Sequence, residues 1–496
     1  MSLTAGELSA IMPLLIPALG ACLLPIASLD SDQATVKWIR AAMFFIALFA
    51  LTGGFFYLTR LWASGAQPSF GALHMDRLAQ FGGIFVLVAA ALAVLQLWDH
   101  LHQEGWVKGE TLSLLLFSVT GMILFAATGN LILLFLGLEL LSLPLYALTA
   151  TVRMREKALE GGMKYFLTGA VASAFFLMGS VLLYGATGSL DIGVIGARLA
   201  QGAVDPIALV GAALLLLGFL FKMSVVPFHQ WTPDVYDAAP HPIAGFMSVA
   251  TKGVAVLALL RVMGMGLSLS AVAVPMREAM AILAVLSLVL GNLAALAQTN
   301  IKRMLAYSSI SHAGYLLLGF VAGTSNAYAG ILFYLLAYLA MNMGAFGMLS
   351  AFGLVGDEVS FEQLKGLGWK RPGLGIAVSL CMFSLAGLPP LAGFYGKYMI
   401  FKELILTGHV SMAVVGVLAS LVSVYYYLGV PVALFMEKPS EFAEREAAER
   451  PAVLAPLAGA TVLVCGILVL VLGLMPGTVL NAFARPASQE VLRNLP

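Results

Sequence analysis

The stretch Leu214-Leu215-Leu216-Leu217-Gly218-Phe219-Leu220-Phe221-Lys222-Met223-Ser224-Val225-Val226-Pro227-Phe228-His229-Gln230-Trp231-Thr232-Pro233 decides how this chain folds. With the apolar residues before it, it forms a run near 206–226, and about 20 mostly apolar residues suffice to cross a bilayer as a helix. A lysine enters before the run ends, and a proline follows five residues later. Proline lacks a backbone donor and clashes with the preceding turn, so it breaks a helix. A helix broken at membrane depth is tolerated only where protein or a water-filled cavity satisfies the freed backbone groups. The stretch therefore predicts a spanning helix that breaks beside a buried charge.

The rest of the chain fits a membrane. Of 496 residues, 61% are hydrophobic and only 10% are charged. Soluble domains carry roughly 25% charge and 45–50% apolar residues, and disorder requires low hydrophobicity with high net charge. An integral membrane protein remains, with little chain left for a soluble nucleotide or redox domain. The net charge of +1 speaks against a nucleic-acid partner. Cys22, Cys381 and Cys465 each stand alone in apolar sequence, which encodes no disulfide framework, metal site or cluster. No phosphate-binding glycine loop or dinucleotide fingerprint occurs. The N-terminus reads as a first span rather than a cleaved signal.

Apolar stretches of spanning length predict an all-α polytopic protein with about 14 transmembrane helices. The fourth and fifth are separated only at Gly129-Asn130, and the ninth and tenth only at Asn300. The eighth runs over 241–264 and the twelfth over 374–400. The twelfth contains Gly387-Leu388-Pro389-Pro390 and so repeats the break of the seventh. Five spans separate the two breaks. Five is odd, so two such units have opposite topology, and paired broken helices in inverted repeats point to an ion pathway. The expected organisation is three N-terminal helices in 1–110, a first unit of helices 4–8 in 111–265, a second of helices 9–13 in 276–436, and a loop with helix 14 in 437–496. Lys and Arg favour the loops after odd-numbered spans, Lys302 among them, over the opposite side, where Arg261 is counted. The positive-inside rule then places both termini outside.

Some charges lie within spans. Glu139, Lys164, Lys222, Lys252 and Lys397 are the clearest, and each costs about 2.5–3.5 kcal/mol at a helix centre. Glu139 is on too short a stem to reach the interface. A lysine caught between burial, which disfavours its charge, and a carboxylate, which favours it, can exchange a proton near neutral pH. Lysines linked by water make a proton relay. Glu160 and Lys164 also read as a local i, i+4 pair, and Lys397 as a snorkelling side chain. His229, in the loop after the break, titrates near physiological pH and can relay a proton, but reads more readily as solvated or helix-capping. His312 lies in the polar run Ser308-Ser309-Ile310-Ser311-His312, which faces protein rather than lipid, as packing glue or as part of a water chain.

Four motifs together resemble the antiporter-like subunits of respiratory complex I, and among them the N subunits of NADH:quinone oxidoreductase. They are Leu138-Glu139-Leu140-Leu141-Ser142-Leu143-Pro144-Leu145-Tyr146, the stretch from Phe221 to Trp231, the stretch from Ile301 to Tyr315, and Gly387-Leu388-Pro389-Pro390-Leu391-Ala392-Gly393-Phe394-Tyr395-Gly396-Lys397. The resemblance runs over the whole chain. It implies proton translocation in the bacterial inner membrane, coupled to quinone reduction elsewhere in the complex. It implies Glu139 and Lys222 as an ion pair, Lys252 as the central lysine and Lys397 as the exit residue. A lysine in that last position suits N subunits better than M subunits, where glutamate is typical, and the short tail after the last span reads against the L subunits. NADH, FMN, iron–sulfur clusters and quinone are expected on partner subunits and no cofactor in this chain. The implied partners are the neighbouring M subunit, small K- and J-type subunits and lipid. Two alternatives share these features: a subunit of a multisubunit cation/proton antiporter, and a membrane scaffold whose buried charges are fixed pairs.

Overall fold

The computed structural model describes residues 4–27, 36–103, 108–152, 155–201, 205–264, 272–354, 359–439 and 455–493. Six helices come first: α1 (Ala5–Ala27), α2 (Val36–Ser64), α3 (Arg77–Gln103), α4 (Gly109–Ala127), α5 (Leu131–Thr149) and α6 (Glu156–Thr187). A two-residue hairpin, Ser69–Phe70 with Leu73–His74, lies between α2 and α3. Short α7 (Ile192–Ala200) precedes α8 (Pro206–Met223), α9 (Trp231–Ala238), α10 (His241–Phe246) and α11 (Lys252–Gly264). A π-helical turn, Met247–Thr251, joins α10 to α11. Then come α12 (Ala273–Leu296), α13 (Ile301–Ala322), α14 (Ser325–Ala351), α15 (Leu367–Lys370), α16 (Pro372–Ala386), α17 (Ala392–Leu406) and α18 (Val410–Phe435). The chain closes with α19 (Pro456–Leu474), α20 (Pro476–Val479) and α21 (Arg485–Arg493).

Among the described residues, 13 helices are long and apolar enough to cross a membrane. The expected twelfth span is absent from that count because it is two helices of 15 residues each, α16 and α17. Together they complete the fourteen passes. The seventh pass is likewise α8 followed by α9. Both breaks are built alike. α8 ends at Ser224, the one non-glycine residue at positive φ (62°) among those described, and α16 ends at Gly387 (φ 89°). The left-handed residue lets the next amide turn back into the helix: Val225 N donates to Leu220 O and Leu388 N to Phe383 O, each at 3.0 Å. Serine hydroxyls then take stray amides, Ser287 Oγ from Val226 N (3.0 Å) and Ser384 Oγ from Gly393 N (2.9 Å). Both breaks contain a cis X–Pro bond.

The helix starts also recur five passes apart. Asn130 caps α5, accepting from Ile132 N and Leu133 N. Asn300 caps α13, accepting from Lys302 N and Arg303 N. Leu131 N donates to Leu190 O and Ile301 N to Val359 O. These caps are why the two weakest divisions in the sequence hold: an Asn side chain satisfies the orphan donors of a new helix.

The pass formed by α10, the π turn and α11 is wholly buried, and α13 and α14 nearly so. By contrast α2, α6, α12 and α18 present apolar side chains such as Phe49, Leu167, Leu293 and Leu421 outward. Polar groups thus collect at the axis and apolar ones at the rim, the reverse of a soluble domain. Arg261 and Lys302, counted as loop charges in the orientation argument, are both buried. Both are spent on internal contacts rather than on a membrane face; the loop residues Arg445 and Arg450 lie outside the described residues.

Arg261 pairs bidentately with Asp76 (2.6 and 2.7 Å) and donates through Nε to Ala126 O (2.9 Å), tying α11 to the starts of α3 and the end of α4. Removing one member of a buried pair strands the other, at about 3–5 kcal/mol. Arg261→Ala is expected to lower stability by that amount, read as a drop in the temperature of half-inactivation of the purified complex. Lys in its place cannot reproduce the fork and should recover only part of the loss.

Candidate functional site

Lys252 has no exposed surface and opens α11 directly after the π turn. Its Nζ donates to the carbonyl and hydroxyl oxygens of Ser309 on α13. The amine also lies 5.9 Å from the centre of the Tyr338 ring. Tyr338 is tied through Asn342, which donates to its hydroxyl (3.1 Å) and to Ser248 Oγ within the π turn. Lys252 is therefore held by neutral oxygens and a ring face, with no ion-pair partner among the described residues.

One helical turn past Ser309 stands His312, also buried. Its Nδ1 meets the Tyr334 hydroxyl at 2.5 Å and its Nε2 the Tyr427 hydroxyl at 2.8 Å. Tyr427 shares a further hydrogen bond with Ser308. A neutral imidazole has one N–H and one bare nitrogen. With a hydroxyl on each side, taking a proton at one nitrogen and releasing one from the other moves charge across the ring. Tyr315, one turn further, turns its face to Lys397, whose Nζ is 4.6 Å from the ring centre. Lys397 also donates to Leu385 O (3.0 Å), Ala386 O (3.2 Å) and Ser420 Oγ (3.0 Å). It thus caps the carbonyl end of α16, where the backbone dipoles leave partial negative charge. Lys252, His312 and Lys397 lie in one buried polar row.

Lys222 is buried at the end of α8, and its Nζ has no hydrogen-bond partner. Aromatic faces surround it instead: Tyr165 at 5.1 Å, Tyr146 at 5.3 Å and Phe221 at 5.7 Å. Ring quadrupoles attract a cation, by up to about 2 kcal/mol when water is excluded. Tyr165 stacks on Trp231 of α9 (4.4 Å, 9°), and Trp231 Nε1 donates to Phe221 O across the break (3.3 Å). Tyr146 fits because Gly169 faces it; a Cβ there would lie 2.0 Å from its hydroxyl. Glu139, expected to pair with Lys222, does not touch it. It is half-buried on α5, and its Oε1 also lacks a partner. Tyr146 stands two turns along the same face of α5, about 10 Å away.

Residues 128–423 match a family profile described as NADH:quinone oxidoreductase/Mrp antiporter, transmembrane. NADH-quinone oxidoreductase subunit N of Salinibacter ruber is 40% identical over 472 residues, covering 93% of this chain and 92% of its own. Subunit N 1 of Sorangium cellulosum is 39% identical over 504 residues, covering 97% and 98%. The chain belongs to the subunit N family of NADH-quinone oxidoreductase. A chain of respiratory complex I from Thermus thermophilus superposes with a TM-score of 0.80 at 38% identity, covering 95% of this chain and 99% of that one. A chain of the Mrp complex from Dietzia sp. DQ12-45-1b superposes at 0.81 with 20% identity, covering 99% and 100%, which shows a shared fold.

Within this subunit N fold, two candidates fall outside the row. Lys164 leaves 45% of its side chain exposed and pairs with Glu160 (2.7 Å) and with Asp234 of α9 (2.9 Å). Arg303 takes the other Asp234 oxygen (2.8 Å), and Lys157 binds Asp237 (2.7 Å). Glu160 and Lys164 therefore belong to an ion cluster pinning the half-helix α9 between α6 and α13. The face of α6 that carries them turns to the rim, and Lys164 reaches beyond its i, i+4 partner to Asp234. His229 sits half-buried in the break, facing the Pro227 carbonyl, and its Nδ1 is unpartnered. The sequence places Ser309 in the polar run and Tyr146 in a motif, but does not single out the partners Tyr165, Tyr334, Tyr338 and Tyr427 or the π turn. Only the i, i+4 pair Tyr334 and Tyr338 leaves a periodic trace, and that pattern equally describes core packing. Among the described residues no group of three or more His, Cys, Asp or Glu side chains could hold a metal ion.

Proposed function

We propose that this chain carries protons across the membrane along its buried row, with Glu139 and Lys222 at the entrance, Lys252 in the middle and Lys397 toward the exit. The observation that carries the reading is a run of buried polar atoms without a protein partner beside the lysines: Lys222 Nζ, Glu139 Oε1, the hydroxyls of Tyr146, Tyr165, Ser224, Tyr236, Ser311 and Tyr315. Buried polar groups need partners, and bound water supplies them where protein does not. Water joining these groups to Ser309, His312 and the tyrosines makes a hydrogen-bonded path. The recurring breaks and Asn caps support two inverted five-helix units, helices 4–8 and 9–13.

The drive is electrostatic. Lys222 is held only by ring faces, so its charge is free to shift toward or away from Glu139. A like charge moving at one lysine changes the cost of charge at the next. Proton loading of Lys252 is thereby tied to the position of Lys222, and loading of Lys397 to His312. As in the relatives whose name the family bears, the chain works as a subunit of a proton-translocating NADH:quinone oxidoreductase. The redox chemistry, with NADH, FMN, clusters and quinone, resides on partner subunits. It packs beside an M-type subunit and small K- and J-type subunits in the bacterial inner membrane, both termini outside.

The test is Lys222→Ala in the assembled complex in proteoliposomes, read as protons moved per NADH oxidised. Pumping is expected to fall sharply with assembly intact. Parental pumping in this variant and in Lys252→Ala would sink the relay.

A further inference from the structure

We propose that Glu403 is the group that passes protons from Lys397 to the outer face, an inference that rests on the relay reading above. Glu403 lies in the last turn of α17, six residues or about 9 Å beyond Lys397 along the axis. Between the two, Ile400 is buried and Lys402 points outward, so Glu403 is the next buried ionisable side chain on that helix. Only 6% of it is exposed. The site is a poor one for a structural acid. A carboxylate in the last turn opposes the helix dipole, and no basic side chain among the described residues is in ion-pair distance. Arg277 of α12 packs over Gly323 nearby, with its Nε unpartnered.

The contact Glu403 does make leads outward. Thr324 Oγ1 donates to Glu403 Oε2 at 2.7 Å, and that hydroxyl also accepts from Ala327 N as the cap of α14. Thr324 is half-buried, at the turn between α13 and α14 where the chain reaches the surface. On the other side, Thr407 Oγ1 donates to the Glu403 carbonyl and meets Nδ1 of exposed His409 at 3.1 Å. A buried acid therefore stands between the last lysine of the row and a polar route to solvent through Thr324; the Thr407 bond is to the Glu403 backbone carbonyl and carries no proton from the carboxylate. The step balances: the Lys397 ammonium gives up a proton, the Glu403 carboxylate takes it through intervening water, and the carboxylic acid then releases it to water outside. Both groups return to their starting states, with one proton exported. Glu403 acts on the proton itself and not through another residue.

Glu403→Gln tests this, because the amide oxygen keeps the bond from Thr324 but cannot carry the proton. It is compared with Lys397→Ala in purified complex in proteoliposomes. The expected result is parental assembly with proton export at least about tenfold slower, and recovery of most of it in Glu403→Asp. A second measurement needs no variant. A membrane-soluble carbodiimide should label Glu403 in the parent complex, read by peptide mass, because it attacks protonated buried carboxyls. Parental export in Glu403→Gln while Lys397→Ala fails would overturn the assignment alone, as would an unlabelled Glu403. Parental export in both variants would remove the relay reading itself.

Discussion

Replacing Lys252 with alanine is expected to stop proton movement through this chain while leaving the assembled complex intact. A side chain that carries a proton in the rate-limiting path contributes on the order of a hundredfold or more. Among the described residues Lys252 is the lysine that contacts Ser309, one turn before His312, and its truncation removes the amine from that place. Stability should move little or even rise. The amine is completely buried and held by Ser309 and the Tyr338 ring face, without a carboxylate among the described residues, and an unpaired buried charge is a cost that its removal relieves. The measurement is paired: proton export in proteoliposomes and the heat stability of the same preparation. A scaffold role predicts the opposite pattern, with lost assembly and unaltered turnover in whatever complex forms.

Gly393→Ala should produce the largest structural effect. A Cβ on Gly393 would lie 1.9 Å from Ser384 O and 2.9 Å from Met341 Sδ. The first obstacle is backbone, so no side-chain rotation relieves it. α17 must move off the end of α16 and carry Lys397 away from the Leu385 and Ala386 carbonyls that hold it. Overpacking of a tight contact costs about 1–3 kcal/mol, and a backbone clash belongs at or above the upper end. The expected result is a marked loss of assembled complex in membranes, with impaired export in what remains. Gly373→Ala, at the start of α16, has nothing within 4 Å of its Cβ and serves as the neutral control.

Most of the fold was legible in the sequence because lipid imposes a strong signal. Each pass needs a long apolar run, and the divisions fell on residues with a physical job, Asn130 and Asn300 as caps. The twelfth pass was drawn as one segment because its two halves are both apolar; only the double proline marked the gap. Charges read less well. Hydropathy treats Lys164 and Lys222 alike, yet one lies at the rim in an ion cluster and the other in an aromatic cage. Arg261 and Lys302 looked like loop residues because they sit near span ends, although the packing of α3 and α9 encloses them. The lysines and His312 of the candidate site stand out in the sequence, since an ion in an apolar run is costly enough to notice. Tyr165, Tyr334, Tyr338 and Tyr427 do not, because in a bundle rich in tyrosine only three-dimensional proximity sets these apart from ordinary packing.

The π turn before Lys252 sets the azimuth of everything after it. One additional residue in a helical turn rotates the remaining helix by about 100° relative to an uninterrupted α-helix. Lys252 is the first residue beyond that turn, so the inserted residue decides whether its amine points at Ser309. The central charge of the chain is thus aimed by a local miscount in the backbone. A single-residue deletion within Met247–Thr251 would leave composition, hydropathy and span length nearly untouched and still turn the lysine out of line.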